Sequence, residues 1–306
     1  MTPTVASLTR AELGARLAGP GLRLQTGAFV ARVTSPIGTV ADGIALLYPD
    51  YPLRDDAPFA DFHIALTRPA GPRRWFRPQV KFLYDGAAIF RPLPLDQAFP
   101  MFEWGLNWCV ASRAHSYLVI HAAVVEKNGR AAILPAPSGS GKSTLCAALV
   151  HNGWRLLSDE LAMIRLADGM VEPLPRPISL KNAAIGIIGD YVQGTVFSRL
   201  VSDTVKGTVA HLKAPSDSVA RAAECALPAW VIFPKYEAGA APVLAPLGRA
   251  GAFMQLAANA FNYTVLGHAG FDALGGVIER AGCYSFTYSA LDDALDTFAQ
   301  LARAPA

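Results

Sequence analysis

The chain has 306 residues, 52% of them apolar and only 17% charged, where an average soluble protein carries about 25% charged residues. That balance excludes intrinsic disorder, which needs low hydrophobicity and high net charge. Twenty-seven basic and 24 acidic residues leave +3 without blocks of one sign, which argues against nucleic-acid or membrane-surface binding through gross charge.

In chain order, Leu8, Leu13 and Leu17 share one face of a short helix over about 4–18, ended by Gly19-Pro20-Gly21. Residues 22–90 alternate and turn often. Leu22, Leu24, Phe29, Ala31 and Val33 predict strands, as do 62–66 and 80–84, with prolines and glycines between them. Residues 1–94 therefore read as a small β-rich N-terminal domain, with no chemistry of its own, ahead of a second domain over 95–306. Over 95–114 the period becomes helical, with Phe99, Phe102, Leu106, Cys109 and Val110 on one stripe. Strands over 117–126 and 130–135 meet at Asn128-Gly129, a type I′ hairpin signal. A glycine-rich loop, a helix over 142–152 and a strand over 154–159 complete an α/β unit. The last third holds a strand at 230–233, helices over about 249–262 and 271–281, and a strand at 284–288. A final helix starts at Ser289 as N-cap, with Leu291, Leu295 and Phe298 on one face. The predicted fold class is α/β.

Cys109, Cys146, Cys225 and Cys283 lie far apart, with no C-x-x-C and no short Cys/His spacing. They read as buried small hydrophobes of a reducing compartment. The longest clean apolar run, 117–125, falls far short of the ~20 residues that span a bilayer. Glu12 interrupts the stretch where a signal peptide would stay apolar. A cytoplasmic location is expected.

Residues 136–143 read Ala-Pro-Ser-Gly-Ser-Gly-Lys-Ser, the phosphate-loop pattern G-x-x-x-x-G-K-[ST] with Ala136 at the first glycine. An apolar strand precedes it and a helical period follows. Flexible residues around such a turn let successive N–H groups point at phosphate oxygens, and the helix N-terminus adds its positive end. Pro137, Ser138, Gly139, Ser140, Gly141, Lys142, Ser143 and Thr144 are the expected nucleotide-binding residues. Lys142 reaches the β- and γ-phosphates, and the Ser143 hydroxyl is placed for Mg²⁺. Asp159-Glu160 follow Lys142 by only 17 and 18 residues, at the end of an apolar strand where α/β sheets bind ligands. One carboxylate can hold Mg²⁺ and the other can take a proton from an attacking hydroxyl. Transport and helicase-type ATPases place their acidic strand much farther downstream, and no Leu-Ser-Gly-Gly-Gln segment is present.

Ile120-His121, the loop 136–143 and Gly153-Trp154-Arg155-Leu156-Leu157-Ser158-Asp159-Glu160 together resemble the HPr kinase/phosphorylase family, whose nucleotide site is similar to that of phosphoenolpyruvate carboxykinase. The stretches Pro175-Arg176-Pro177-Ile178-Ser179-Leu180-Lys181-Asn182 and Lys206-Gly207-Thr208-Val209-Ala210-His211 look like those of the bacterial HPr-related kinase A proteins. The resemblance implies a P-loop kinase core for residues 95–306, with ATP and Mg²⁺ as cofactors. It makes Asp159 the catalytic base, Ser143 and Glu160 the metal ligands, and sets His121 beside the phosphates with Lys142. Glu160 stands where the family has a second Asp, and residues 1–110 do not match the parent family's regulatory domain.

Arg176, held between two prolines, is a candidate for a phosphate or an acidic substrate, with Lys181 five residues on. Lys206-Gly207-Thr208 suits a loop over a phosphoryl group, and His211 follows it. The expected activity is transfer of the γ-phosphoryl group to a serine-type hydroxyl on a peptide, protein or small molecule. Wider relatives modify peptide natural products, which keeps a ribosomal peptide among the acceptors. The second reading is a nucleotide-binding scaffold that has lost transfer, with Ala136 and Glu160 as signs of drift. A homo-oligomer is left open.

Overall fold

The computed structural model describes residues 2–71, 73–137 and 139–303. Three sheets with helices around them make up a mixed α/β fold. The chain begins with helix Arg10–Ala18, whose start is fixed by a capping box: the Thr9 hydroxyl accepts from the Glu12 N–H, and the Glu12 carboxylate accepts from the Thr9 N–H. Strands Leu22–Thr26, Phe29–Thr34, Phe62–Thr67 and Gln79–Tyr84 then lie side by side in that order. The second and third run parallel and the other pairs antiparallel.

The N-terminal region is not built from strands alone. Gly38–Leu47 is a helix, which two glycines and β-branched residues conceal in sequence, since intrinsic propensity there is poor. Tertiary packing makes it. Gly43 lies against the Phe99 ring so closely that a Cβ would come within 2.1 Å of it. Phe99 belongs to helix Ala98–Arg113, and the same helix sets Gly105 against Phe82 of the N-terminal sheet, where a Cβ would stand 1.9 Å away. Helix Ala98–Arg113 thus docks on residues 1–94. Leu22, Val33, Ile64 and Phe82 share one apolar core with Val119, Ala132 and Leu149 farther along the chain.

The largest sheet has eight strands. Its centre is the hairpin of Tyr117–Lys127 and Arg130–Pro135, turned at Asn128 and Gly129 with φ of 54° and 77°, as a type I′ turn requires. Leu227–Tyr236 pairs parallel with Arg130–Pro135, and Gly282–Tyr288 pairs parallel with Leu227–Tyr236. Both faces are covered, so Tyr117–Lys127 is apolar almost throughout. Leu118, Ile120, Ala122 and Val124 face helices Arg249–Asn259 and His268–Arg280, while Val119, Ala123 and Val125 face helix Lys142–His151.

Arg155–Ser158 and Leu161–Arg165 both pair antiparallel with Tyr117–Lys127. Asp159-Glu160 therefore follows directly on the end of Arg155–Ser158, as expected, in a bend that leads into Leu161–Arg165. A small third sheet, Ile178–Lys181, Gly207–Leu212 and Val201–Thr204, closes over this bend. The last helix runs Leu291–Arg303. Ser289 is not its cap: the hydroxyl donates to Ala240 O at 2.9 Å. Among the described residues no helix is long and apolar enough to cross a membrane.

Candidate functional site

The glycine-rich loop links strand Arg130–Pro135 to helix Lys142–His151. Gly141 stands directly before the helix with φ of 87°, and a Cβ there would come within 2.5 Å of Tyr288 Oη. Both the backbone angle and the close approach select glycine. Tyr288 donates its hydroxyl to Gly141 O at 3.1 Å, and the Tyr236 N–H donates to Ser140 O at 3.0 Å. The loop is thereby tied to two strands of the large sheet. Ala136 is buried and has no positive φ, so the missing first glycine costs the turn little.

Lys142 is 6% exposed, and among the described residues its Nζ has no hydrogen-bond partner. Burial pulls its pKa down, and the charges of Glu160 and Asp159 oppose that shift. A buried, unpartnered ammonium at a helix N-terminus is a strong anion site. It opens into a pocket of about 760 Å³. The pocket gathers His121, Pro137, Gly139, Ser140, Gly141, Lys142, Ser143, Thr144, Glu160, Lys181 and Lys206 from across the chain. Ser138 lies outside the described residues.

His121 Nε2 is 3.1 Å from Glu160 Oε2. Burial pushes the Glu160 carboxyl up, but the His121 hydrogen bond and the Lys142 and Lys206 charges prevail and hold it well below the usual range. Asp159 goes the other way. Burial and the neighbouring Glu160 charge raise it, while Lys142, the Ser179 N–H and the Ser143 hydroxyl pull it back only in part. The Ser179 N–H donates to Asp159 Oδ2 at 3.0 Å, and Oδ1 has no partner. Lys206, at the turn of the small sheet, sets Nζ 5.3 Å from the centroid of the Trp104 ring. Its pKa is lowered, first by burial and against the pull of Glu160.

Three expected residues do not line this pocket: Asp159, which lines a smaller space beside it, Arg176 and His211. The Arg176 guanidinium is not aimed at the pocket. It is buried and donates to Glu103 Oε2 at 2.6 Å, Glu103 O at 2.9 Å and Asn107 Oδ1 at 2.7 Å, and its pKa is raised. Four hydrogen bonds, counting a long one from Nε to Tyr48 Oη at 3.5 Å, hold the guanidinium within the protein. His211 is also absent from the pocket. It is 1% exposed on strand Gly207–Leu212, with its ring edge-on to Phe99 at 5.6 Å.

Sequence reasoning missed Tyr236, Tyr288, Asn182, Ile187, Val205 and Leu291 on the pocket wall. Asn182 ends the Pro175–Asn182 stretch quoted above but was not singled out; the others lie within no motif, and no local spacing announces them.

Among the described residues no group of three or more His, Cys, Asp or Glu side chains is arranged to hold a metal ion. Ser143 and Glu160 nevertheless face one pocket beside Lys142. A hydroxyl and a carboxylate suit Mg²⁺, which keeps several waters and takes its other oxygens from substrate phosphates.

The family model of the SynChlorMet cassette protein ScmC matches residues 101–178. The matched stretch runs from helix Ala98–Arg113 through the glycine-rich loop and the acidic pair to Ile178, at the start of the small sheet. No curated protein matches the chain.

Proposed function

We propose that this protein is a Mg²⁺-ATP-dependent kinase that transfers a γ-phosphoryl group to an alcohol, of serine type. The observation that carries the reading is the buried Lys142 ammonium, unpartnered at the mouth of the glycine-rich loop, with an acidic pair of oppositely tuned carboxylates next to it. The resemblance to HPr kinases points the same way. In this reading the loop N–H groups, Lys142, Lys181 and Lys206 surround the triphosphate, neutralising charge and aligning it. Mg²⁺, when bound through Ser143 and Glu160, supplies further neutralisation of phosphate charge. The carboxylate of Asp159 takes the proton of the acceptor hydroxyl as its oxygen bonds to the γ-phosphorus. The bond from that phosphorus to the β–γ bridging oxygen breaks, and ADP leaves with the electron pair. A raised carboxyl pKa improves such a base near neutral pH.

Calorimetry with Mg²⁺-ATP tests the foundation. Removing the Lys142 ammonium forfeits charge-assisted hydrogen bonds of about 1.5–3 kcal/mol, so Lys142→Ala is expected to weaken binding roughly 10- to 100-fold. Equal affinity in the two proteins removes the basis of the reading. The scaffold alternative predicts binding with no transfer from γ-labelled ATP to any component of a host extract.

A further inference from the structure

The near-neutral balance of the whole chain conceals one uneven stretch. Residues 62–84 carry Arg68, Arg73, Arg74, Arg77 and Lys81 and not one acidic residue. They span strands Phe62–Thr67 and Gln79–Tyr84, and the connection between these strands holds the short helix Arg73–Phe76. Two large rings stand out from it, Trp75 at 73% and Phe76 at 76% exposed. Arg68 and Arg77 are exposed as well, and among the described residues neither has a hydrogen-bond or ion-pair partner.

A single exposed apolar side chain is ordinary, but two of the largest side by side, next to arginines without partners, mark a binding surface. Aromatic residues and arginine are the types enriched where proteins meet, and tryptophan and arginine dominate the hot spots there. The position of the surface says what it serves. The Leu95 N–H donates to Pro78 O at 3.0 Å, and the Gln97 side-chain amide donates to Asp203 O at 3.3 Å. Asp203 leads into Val205 and Lys206, which line the large pocket, and Val205 is 88% exposed. A few hydrogen-bonded residues thus tie the helix Arg73–Phe76 to the wall of the pocket.

We infer that Trp75, Phe76 and the arginines around them dock a polypeptide that carries the acceptor hydroxyl, through a segment of it that is acidic and bears an apolar side chain. The inference rests on the kinase reading above and deepens it, because it selects a polypeptide among the acceptors. Charge complementarity sets the sign. Five cations with no acidic neighbour along the chain favour carboxylates, which the arginine fork takes in pairs, and the two rings offer apolar area to a side chain beside those carboxylates. A polypeptide is favoured over a lipid bilayer because the surface adjoins a pocket: a chain can lie on the one and enter the other, and a bilayer cannot. Docking at a distance raises the local concentration of the hydroxyl at the pocket without changing the reacting groups.

The test uses the full chain and two fluorescent peptides. The acidic probe repeats Glu-Glu-Phe ahead of a serine, and the basic probe has Lys for every Glu. Anisotropy without nucleotide reads docking, and label transfer from γ-labelled ATP reads use of the serine. The acidic probe is expected to bind at least about tenfold tighter than the basic one, and more weakly as salt rises. Trp75→Ala with Phe76→Ala should weaken the acidic probe about tenfold or more. The same change should raise its KM by a like factor, with kcat and ATP affinity little altered. Changing Arg68, Arg73, Arg74 and Arg77 together to Glu leaves one basic residue against four acidic in 62–84. That variant should prefer the basic probe, a gain that misfolding cannot produce. Equal binding of the two probes overturns the inference, as does unchanged affinity in the double variant, or docking with no label on the serine while ATP binds. Tighter binding to phosphatidylserine vesicles than to the acidic probe overturns it too, and assigns the surface to lipid. Failure of the wild type to bind ATP removes the kinase reading instead, while the anisotropy still reads the docking surface.

Discussion

The buried Arg176–Glu103 pair offers the sharpest test of how the two halves of the chain are joined. Arg176 is 6% exposed and Glu103 2%. Two guanidinium bonds run to Glu103, at 2.6 Å to Oε2 and 2.9 Å to the carbonyl, and Tyr48 donates its hydroxyl to Glu103 Oε1 at 2.7 Å. Tyr51 adds a bond to Pro175 O at 3.0 Å. Glu103→Ala removes one partner and leaves a buried cation uncompensated, which costs about 3–5 kcal/mol. That is a large share of the roughly 5–15 kcal/mol that holds a protein folded. At about 2–4 °C per kcal/mol for chains approaching this length, the melting temperature should fall by about 6–20 °C. Replacing both partners together, Glu103→Leu with Arg176→Met, removes the desolvation cost along with the attraction and should recover most of the loss. Urea denaturation of the three variants, followed by circular dichroism, measures this. A loss under about 1 kcal/mol for Glu103→Ala, with an unchanged m-value, would falsify the account of the pair as a buried clamp. A double variant as unstable as the single one would do the same.

Asp159→Asn keeps the shape of the side chain and loses its basicity, so kcat should fall about 10²- to 10⁴-fold with little change in ATP affinity. Because the Asp159 carboxyl lies above the ordinary range, wild-type rates should decline as the pH falls through its pKa, where the base becomes protonated. Near-normal turnover in the variant would take the base role from Asp159. Glu160→Gln should instead raise the Mg²⁺ concentration needed for half-maximal rate, and an unshifted Mg²⁺ curve would remove Glu160 from the metal. Gly141→Ala forces an L residue to φ of 87° and into Tyr288 Oη, so it should lose ATP binding at least as severely as Lys142→Ala; wild-type affinity would show that the loop can move aside.

What the sequence discloses of this protein is what depends on neighbours along the chain. The Asn128-Gly129 turn, the glycine-rich loop and the helix behind it are local, and each is found where its residues predict. The helix Gly38–Leu47 is not local, because it exists through Gly43 meeting Phe99 from a later helix. The same holds for Arg176. Its two flanking prolines are visible in the sequence, but the Glu103 carboxylate that claims it comes from helix Ala98–Arg113, and no spacing rule connects them.

The acidic pair shows how adjacent residues come to differ. The pair lies in a bend between two strands, and its two side chains meet unlike surroundings. Glu160 meets His121 and two ammonium groups, which favour its charged form. Asp159 is turned into the interior, where burial and the charge of Glu160 disfavour ionisation. One carboxylate is thus suited to stay charged beside a cation, and the other to accept a proton. The division needs no difference in chemistry between Asp and Glu, only a bend that gives each residue its own surroundings. The N–H of Ser179 fixes which Asp159 oxygen remains free. Ser179 follows the Pro175–Pro177 segment, clamped by Glu103, Tyr48 and Tyr51. The aim of the proposed base is therefore set partly by Glu103 and partly by Tyr48 and Tyr51 of residues 1–94, the region in which the sequence shows no chemistry.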